Sequence, residues 1–346
     1  MRATLLPLLL LLTGFTNAAP SYDSCPAKTV FLEPVTQAYV DASAKGKPIY
    51  ELGVQGARDF LESVQAPGSP SLDTVDYKEL NLHIGPTGSV NVHLFRPLGS
   101  GKKVLPVIVY FHGGGWILGS PNTYRRLVLD LVAETGAAVL FSNYTRSPEA
   151  TFPVPIQQSH AVVEWLHAHG SSLYLDSKRV AFAGDSAGGA MAAAVNIMSI
   201  DAGRKELLPK YQVLFYPATD VSKESCTYKI FKNGPGLAAA TLHWMIGAFV
   251  PNRKDRLNPL ASPLLAKDAV LKCMPETLLM VAEVDPLRAE GEEFARRLSK
   301  NGVRTTALRV EATIHDFVML NELSKTPAAR VAIEAAGRGI KKALGI

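Results

Sequence analysis

A serine hydroxyl becomes a nucleophile when the chain lifts it out of a tight turn and aims it at a base. Gly184-Asp185-Ser186-Ala187-Gly188 has the residue types for such a turn, G-x-S-x-G, and Gly189 follows. A short apolar strand, Val180 to Ala183, precedes it, and an alanine-rich helical stretch, Ala187 to Met198, comes after. The spacing predicts a strained strand-to-helix turn whose small flanking residues avoid Cβ clashes and raise Ser186 Oγ above the sheet. The helix N-terminus beneath it offers partial positive charge to an anion. The bland alternative is a glycine-rich turn with a capping serine.

His112-Gly113-Gly114-Gly115-Trp116 lies directly after the longest apolar run, Val104 to Phe111. Three glycines let the backbone bend so that N–H groups point into a cavity. With the N–H of Ala187 they have the makings of an oxyanion hole. Residue types alone do not choose which two of Gly113, Gly114 and Gly115 donate. His112 is expected to order this loop rather than act as the base. Asp285, in Val284-Asp285-Pro286-Leu287-Arg288, follows the strand Leu278 to Val281. A carboxylate there can accept the Nδ1–H of a histidine and hold its tautomer. It also suits a helix N-cap with Pro286 at the first helical position, and the two readings are compatible. His315 comes after the last strand signal, Ala307 to Val310. Ser186, Asp285 and His315 thus occur in the chain order Ser…Asp…His, each after a strand.

The elements that must hold these residues alternate. Apolar, strand-like runs end at Phe111, Phe141, Ala183, Tyr216, Val281 and Val310. Helical patterns lie between them at 124–134, 161–169, 187–198 and 290–298, and a closing amphipathic helix spans 328–344. This predicts an α/β fold with a mostly parallel sheet covered by helices on both faces. Residues 20–75 and 220–262 break the rhythm and are read as two parts of a cap over the C-terminal sheet edge, where open α/β sheets bind ligands. The catalytic unit is then 76–346.

Composition sets the class. Of 346 residues, 47% are hydrophobic and 19% charged, which suits a large core and rules out global disorder. The net charge of +5 is spread over separated basic pairs, so no nucleic-acid face is expected. Met1-Arg2, the apolar run Leu5 to Leu12 and the small pair Ala18-Ala19 read as an export signal over 1–19. The run is shorter than the roughly 20 residues that span a bilayer. A secreted or lumenal chain without stable membrane insertion is expected, and an uncleaved anchor is the other reading. Among Cys25, Cys226 and Cys273, one disulfide and one free thiol suit an exported chain; the spacing does not choose the pair and fits no zinc site. Asn143-Tyr144-Thr145 is a glycosylation sequon at the end of a buried strand, where a transferase would not reach it.

The motifs together resemble the hormone-sensitive-lipase-like branch of the α/β-hydrolases, which includes bacterial carboxylesterases and arylacetamide deacetylases. The resemblance covers residues 80–345 and rests on His112 to Trp116, Gly184 to Gly189, Asp285 to Arg288 and His315-Asp316-Phe317. Asp185 places the chain in the subgroup with aspartate before the nucleophile. The resemblance implies an eight-stranded sheet and a helical cap. It implies Gly114 and Gly115 as oxyanion donors, and an acyl-enzyme mechanism on short to medium acyl esters without metal or organic cofactor. The family's Asp-Tyr-Arg-Leu-Ala-Pro-Glu stands here as Asn143-Tyr144-Thr145-Arg146-Ser147-Pro148-Glu149, expected to shape the sheet edge and pocket wall. Asp185, Trp116, Trp244 and Phe249 are candidate pocket residues, with Met245; the apolar ones serve equally well as cap core. An amidase or deacetylase would use the same site, as would a biosynthetic enzyme acting on a secondary metabolite. A non-catalytic binding protein is disfavoured by the intact Ser, Asp and His. Nothing in the sequence sets an oligomeric state.

Overall fold

A computed structural model describes residues 30–346. The apolar leader at 1–19 and Cys25 lie outside the described residues. The strands are β1 (Val75–Leu82), β2 (Val90–Pro97), β3 (Leu105–Phe111), β4 (Ala138–Asn143), β5 (Leu175–Asp185), β6 (Tyr211–Phe215), β7 (Glu276–Val284) and β8 (Thr305–Ile314). They form one sheet in the order β1-β2-β4-β3-β5-β6-β7-β8. β2 runs antiparallel to both β1 and β4, and every other pairing is parallel. The helices are α1 (Pro34–Ser43), α2 (Gly53–Gln65), α3 (Arg125–Thr135), α4 (Val154–His169), α5 (Ala187–Asp201), α6 (Cys226–Ile230), α7 (Ala239–Phe249), α8 (Asp268–Leu271), α9 (Arg288–Lys300) and α10 (Pro327–Leu344).

β3 is buried along its whole length, which is why it reads as an unbroken apolar run. Its alternate side chains serve two cores. Val107, Val109 and Phe111 join α4, α5 and α9 on one face; Ile108 and Tyr110 join α3 and α10 on the other. Register levels the strand ends that matter: Phe111 pairs with Gly184, Asp185 with Phe215, and Phe215 with Met280. The C-terminal ends of β3, β5, β6 and β7 therefore open onto one edge.

The cap expected from the sequence takes in α1 and α2 on one side and α6 and α7 on the other. A small apolar cluster of Ala57, Ile117, Leu118 and Met245 joins it to the body. One polar face of α2 also pins it. Arg58 Nε donates to Ile117 O at 2.9 Å, and both its terminal nitrogens grip Glu149, at 2.7 and 2.8 Å. Gln65 Nε2 donates to the carbonyls of Thr123 (2.8 Å) and Met319 (3.0 Å). Arg58 holds the Glu149 carboxyl down at about 2.

Three differences from the sequence reading have physical causes. β1 and β2 carry no apolar run, because β1 is an edge strand with one end-to-end polar exposed face and β2 alternates Val90, Val92 and Leu94 with Asn91 and His93. α4 begins at Val154, seven residues before the start expected at 161, with Pro155 in its first turn where a missing N–H costs nothing. The segment 143–149 is a buttress rather than a pocket wall. Tyr144 donates its hydroxyl to His112 O at 2.9 Å, Arg146 Nη1 donates to Gly119 O at 2.7 Å, and Ser147 N to Trp116 O at 2.8 Å. Asn143 ends β4, its amide donating to Asn91 Oδ1 at 2.8 Å. Cys226 is in a disulfide and Cys273 is free. Among the described residues no helix is long and apolar enough to cross a membrane.

Candidate active site

The nucleophile turn joins β5 to α5. Ser186 has φ 52° and ψ −121°, a region L-residues rarely adopt. Two backbone bonds hold it there: Ser186 N donates to Phe215 O at 2.8 Å, and Ala218 N to Ser186 O at 3.1 Å. The turn can be this tight because α5 lies against the end of β3. A Cβ on Gly188 would sit 2.0 Å from Phe111 O and 2.5 Å from His112 O, so only glycine fits.

His315 follows β8 directly, and Asp285 follows β7. His315 Nε2 lies 2.9 Å from Ser186 Oγ, and Nδ1 lies 2.7 Å from Asp285 Oδ2. A carboxylate only accepts, so Nδ1 carries the proton and Nε2 of the neutral ring faces the serine as acceptor. Asp285 Oδ1 accepts the Leu287 N–H at 2.8 Å. Asp285 thus faces the histidine with one oxygen and closes the turn before α9 with the other, but it is not the helix N-cap expected from the sequence: α9 begins at Arg288, its N-cap position is Leu287, and Pro286 lies ahead of the helix. Burial disfavours a charged His315, but Asp285 and Asp316 outweigh it and push the imidazole up to about 9.

The glycine loop divides its N–H groups. Gly113 N–H donates to Asp185 Oδ1 at 3.0 Å, which removes it from the expected oxyanion donors. Gly114 and Gly115 turn into the left-handed region, φ 86° and 60°. Their N–H groups have no acceptor among the described residues, nor has that of Ala187, the first residue of α5. All three residues line the cavity above Ser186. Two consecutive left-handed residues beside a helix N-terminus make a nest suited to an anion.

Asp185, expected in the pocket, lies beneath this loop instead. It is fully buried and accepts from Tyr110 Oη and Tyr124 Oη, each at 2.8 Å, as well as from Gly113 N. Burial raises its carboxyl to about 7, with Asp316 adding to the rise and the three donors opposing it. His112 is likewise structural in position. Its ring stacks on Tyr144 at 4.1 Å, its Nδ1 meets Gly113 O at 2.9 Å, and burial pulls its pKa to about 3, so it stays neutral.

The cavity has a volume of about 690 Å³ and has Ser186 and His315 in its wall. Trp116, Leu242 and Met245 line it beside the glycine loop, and Tyr39, Leu61 and Met319 line it elsewhere. Of the candidate pocket aromatics, only Trp116 borders it. Phe249 is fully buried behind Trp116, stacked on the indole at 4.2 Å, and Trp244 packs on the cap cluster. α7 turns Ala240, Thr241, Leu242 and Met245 to the cavity, while Trp244 and Phe249 do not border it. Tyr110 and Tyr124 were not legible as site residues. They reach Asp185 across 75 and 61 residues of chain, and no local pattern marks such a bond.

The chain is similar to known proteins over most of its length. Residues 108–319 match the family described as alpha/beta hydrolase fold. The chain is 38% identical over 316 residues to an esterase of Gibberella moniliformis, covering 90% of this chain and 98% of that one. It is 29% identical over 300 residues to an ethyl acetate hydrolase of Pseudomonas putida, covering 84% and 93%. The crystal structure of carboxyl esterase 2 from the mycorrhizal fungus Tuber melanosporum superposes with a TM-score of 0.84 at 44% identity, covering 90% of this chain and 99% of that one.

Proposed function

The chain belongs to the α/β-hydrolase family, in its hormone-sensitive-lipase-like branch of carboxylic ester hydrolases, and we propose that it cleaves short to medium acyl esters through an acyl-enzyme. Ser186 Oγ attacks the ester carbonyl while His315 Nε2 takes its proton. Asp285 keeps the ring in the required tautomer and stabilises its charged form. The tetrahedral oxyanion is met by the N–H groups of Gly114, Gly115 and Ala187. His315 returns the proton to the departing alcohol, and the alkoxy–carbonyl bond breaks. Water, deprotonated by His315, then attacks the acyl-serine and releases the acid and free Ser186.

The observation that carries this reading is the continuous Asp285–His315–Ser186 chain of 2.7 and 2.9 Å contacts, opening onto three unpaired N–H groups. The cavity supports small esters: 690 Å³ falls in the range of about 300–1,000 Å³ typical of small-molecule sites. The relative named for ethyl acetate hydrolysis points the same way. In the same reading the chain is exported with its leader removed. The disulfide at Cys226 supports an oxidising compartment, and N-terminal sequencing of protein from its native source tests this.

A fluorophosphonate probe, followed by intact mass, tests the mechanism. One adduct is expected on the wild type and none on Ser186→Ala, with hydrolysis of p-nitrophenyl butyrate reduced on the order of 10⁴-fold or more. Substantial turnover by a folded Ser186→Ala protein would overturn the assignment.

A further inference from the structure

We propose that Asp316 selects esters whose leaving alcohol carries a hydrogen-bond donor on its second carbon, one bond beyond the carbon that bears the ester oxygen, such as monoesters of a 1,2-diol or polyol. This rests on the esterase reading and names the substrate class of the same site.

Asp316 follows His315 with φ 66°, in the left-handed region that few non-glycine residues occupy. Its carbonyl accepts from Met319 N at 2.8 Å and Leu320 N at 2.9 Å, which holds the turn in place. The side chain borders the cavity. Its Oδ1 is buried and has no hydrogen-bond partner. Its ion-pair contact among the described residues is with His315, whose Nε2 lies 3.5 Å away, too long for a good hydrogen bond. No lysine or arginine forms an ion pair with it among the described residues. A carboxylate oxygen left without a donor costs free energy unless a ligand supplies one. Strain and an orphaned acceptor at one position point to a function rather than to folding.

The position of Nε2 fixes the side of the substrate that meets this oxygen. Nε2 hands its proton to the leaving alkoxide, so the ester oxygen passes within about 3 Å of it. Asp316 Oδ1 lies 3.5 Å from the same nitrogen, so it flanks the alcohol half. The two oxygens are then no more than about 6.5 Å apart. A hydroxyl on the second carbon of the alcohol reaches about 3 Å from the ester oxygen toward Oδ1 and closes the gap with one hydrogen bond. The rest of this wall, Tyr39, Met319 and Leu320, is mainly apolar, so the carboxylate dominates its chemistry. Burial also lifts the Asp316 carboxyl above its ordinary value, with His315 opposing and Asp285 adding, in keeping with a group short of donors.

The test compares kcat/KM for 2-hydroxyethyl butyrate, propyl butyrate and 2-methoxyethyl butyrate on enzyme titrated with fluorophosphonate. The three share the acyl group; propyl lacks the oxygen, and methoxyethyl offers only an acceptor. Wild type is expected to prefer hydroxyethyl over both by roughly tenfold or more, the usual scale of a bond to a charged acceptor. In Asp316→Gly, which suits the left-handed turn, the ratio falls to about one whatever happens to absolute rates. Asp316→Asn, also tolerant of that turn, keeps one acceptor oxygen and lies between. Equal rates for the three esters in wild type would overturn the inference. So would a uniform drop in Asp316→Gly with the ratio kept and the pH profile moved, since Asp316 would then act through His315. Hydrolysis of none of the three by labelled wild type would overturn the esterase reading as well.

Discussion

Replacing Asp185 separates support of the site from chemistry within it. Its Oδ1 accepts from Tyr110 Oη and Gly113 N, and its Oδ2 from Tyr124 Oη. Asp185→Ala leaves three buried donors unpaired, at about 1–3 kcal/mol each, so a loss of roughly 3–9 kcal/mol is expected. That is comparable with a whole domain's stability of about 5–15 kcal/mol, so the variant should be largely unfolded at 37 °C. Asp185→Asn is different. Its oxygen can keep the Oδ1 bonds, and its amide can donate to the Tyr124 hydroxyl, which turns to accept. Stability within about 1 kcal/mol of wild type at pH 7 and near-normal kcat are expected, because no reacting atom touches this residue. The variants also differ from wild type in pH response. The folded Asp185 titrates at about 7 against 3.8 ordinarily, so between those values the folded state binds more protons than the unfolded one. Its contribution to stability therefore falls as pH rises through that window, and Asp185→Asn removes the slope. Urea unfolding at pH 5.5 and 8, with kcat/KM on p-nitrophenyl butyrate, reads all three. A folded Asp185→Asn enzyme slowed by orders of magnitude would refute the argument, since charge at this position would then serve the reaction. So would an Asp185→Ala protein as stable as wild type.

Three other expectations follow from the site. Because the base must be neutral and His315 is pushed up to about 9, kcat/KM should climb between pH 7 and 9, on the order of tenfold per unit at first; a plateau already reached at pH 7 would contradict it. The same raised value means the folded state holds a proton that an unfolded histidine loses near 6.5, so stability should fall over the window in which activity rises, which thermal melts at each pH check. Gly115→Ala should lower kcat on the order of 10²-fold or more, because its Cβ would sit 2.0 Å from Met245 Sδ on a backbone at φ 60° and would displace an oxyanion donor; unchanged kcat would exclude Gly115 N–H from that role.

The amino-acid sequence by itself determined the chemistry and the frame that carries it. Ser186 and the glycine loop are contiguous motifs, and the strand before and the helix after each are contiguous too, so local spacing suffices to read them. β3 to β7 show in the same way, since strands buried on both faces must be apolar throughout, whereas β8 is a largely exposed edge strand that shows only through the short stretch Ala307 to Val310. The tertiary structure decided what depends on distant residues meeting. Gly113 is lost as a donor only because Asp185, 72 residues on, takes its N–H, and Asp185 is held there by two tyrosines from β3 and the start of α3. Trp244 and Phe249 leave the pocket to Met245 and Leu242 because of how α7 is rotated, which the even hydrophobicity of that helix does not encode. β1 and β2 gain their place by pairing, β2 closing on β4 and β1 on β2, and a polar edge strand carries no apolar signal of its own. Short-range residue order sets which atoms can react; long-range packing sets which of them are left free to do so.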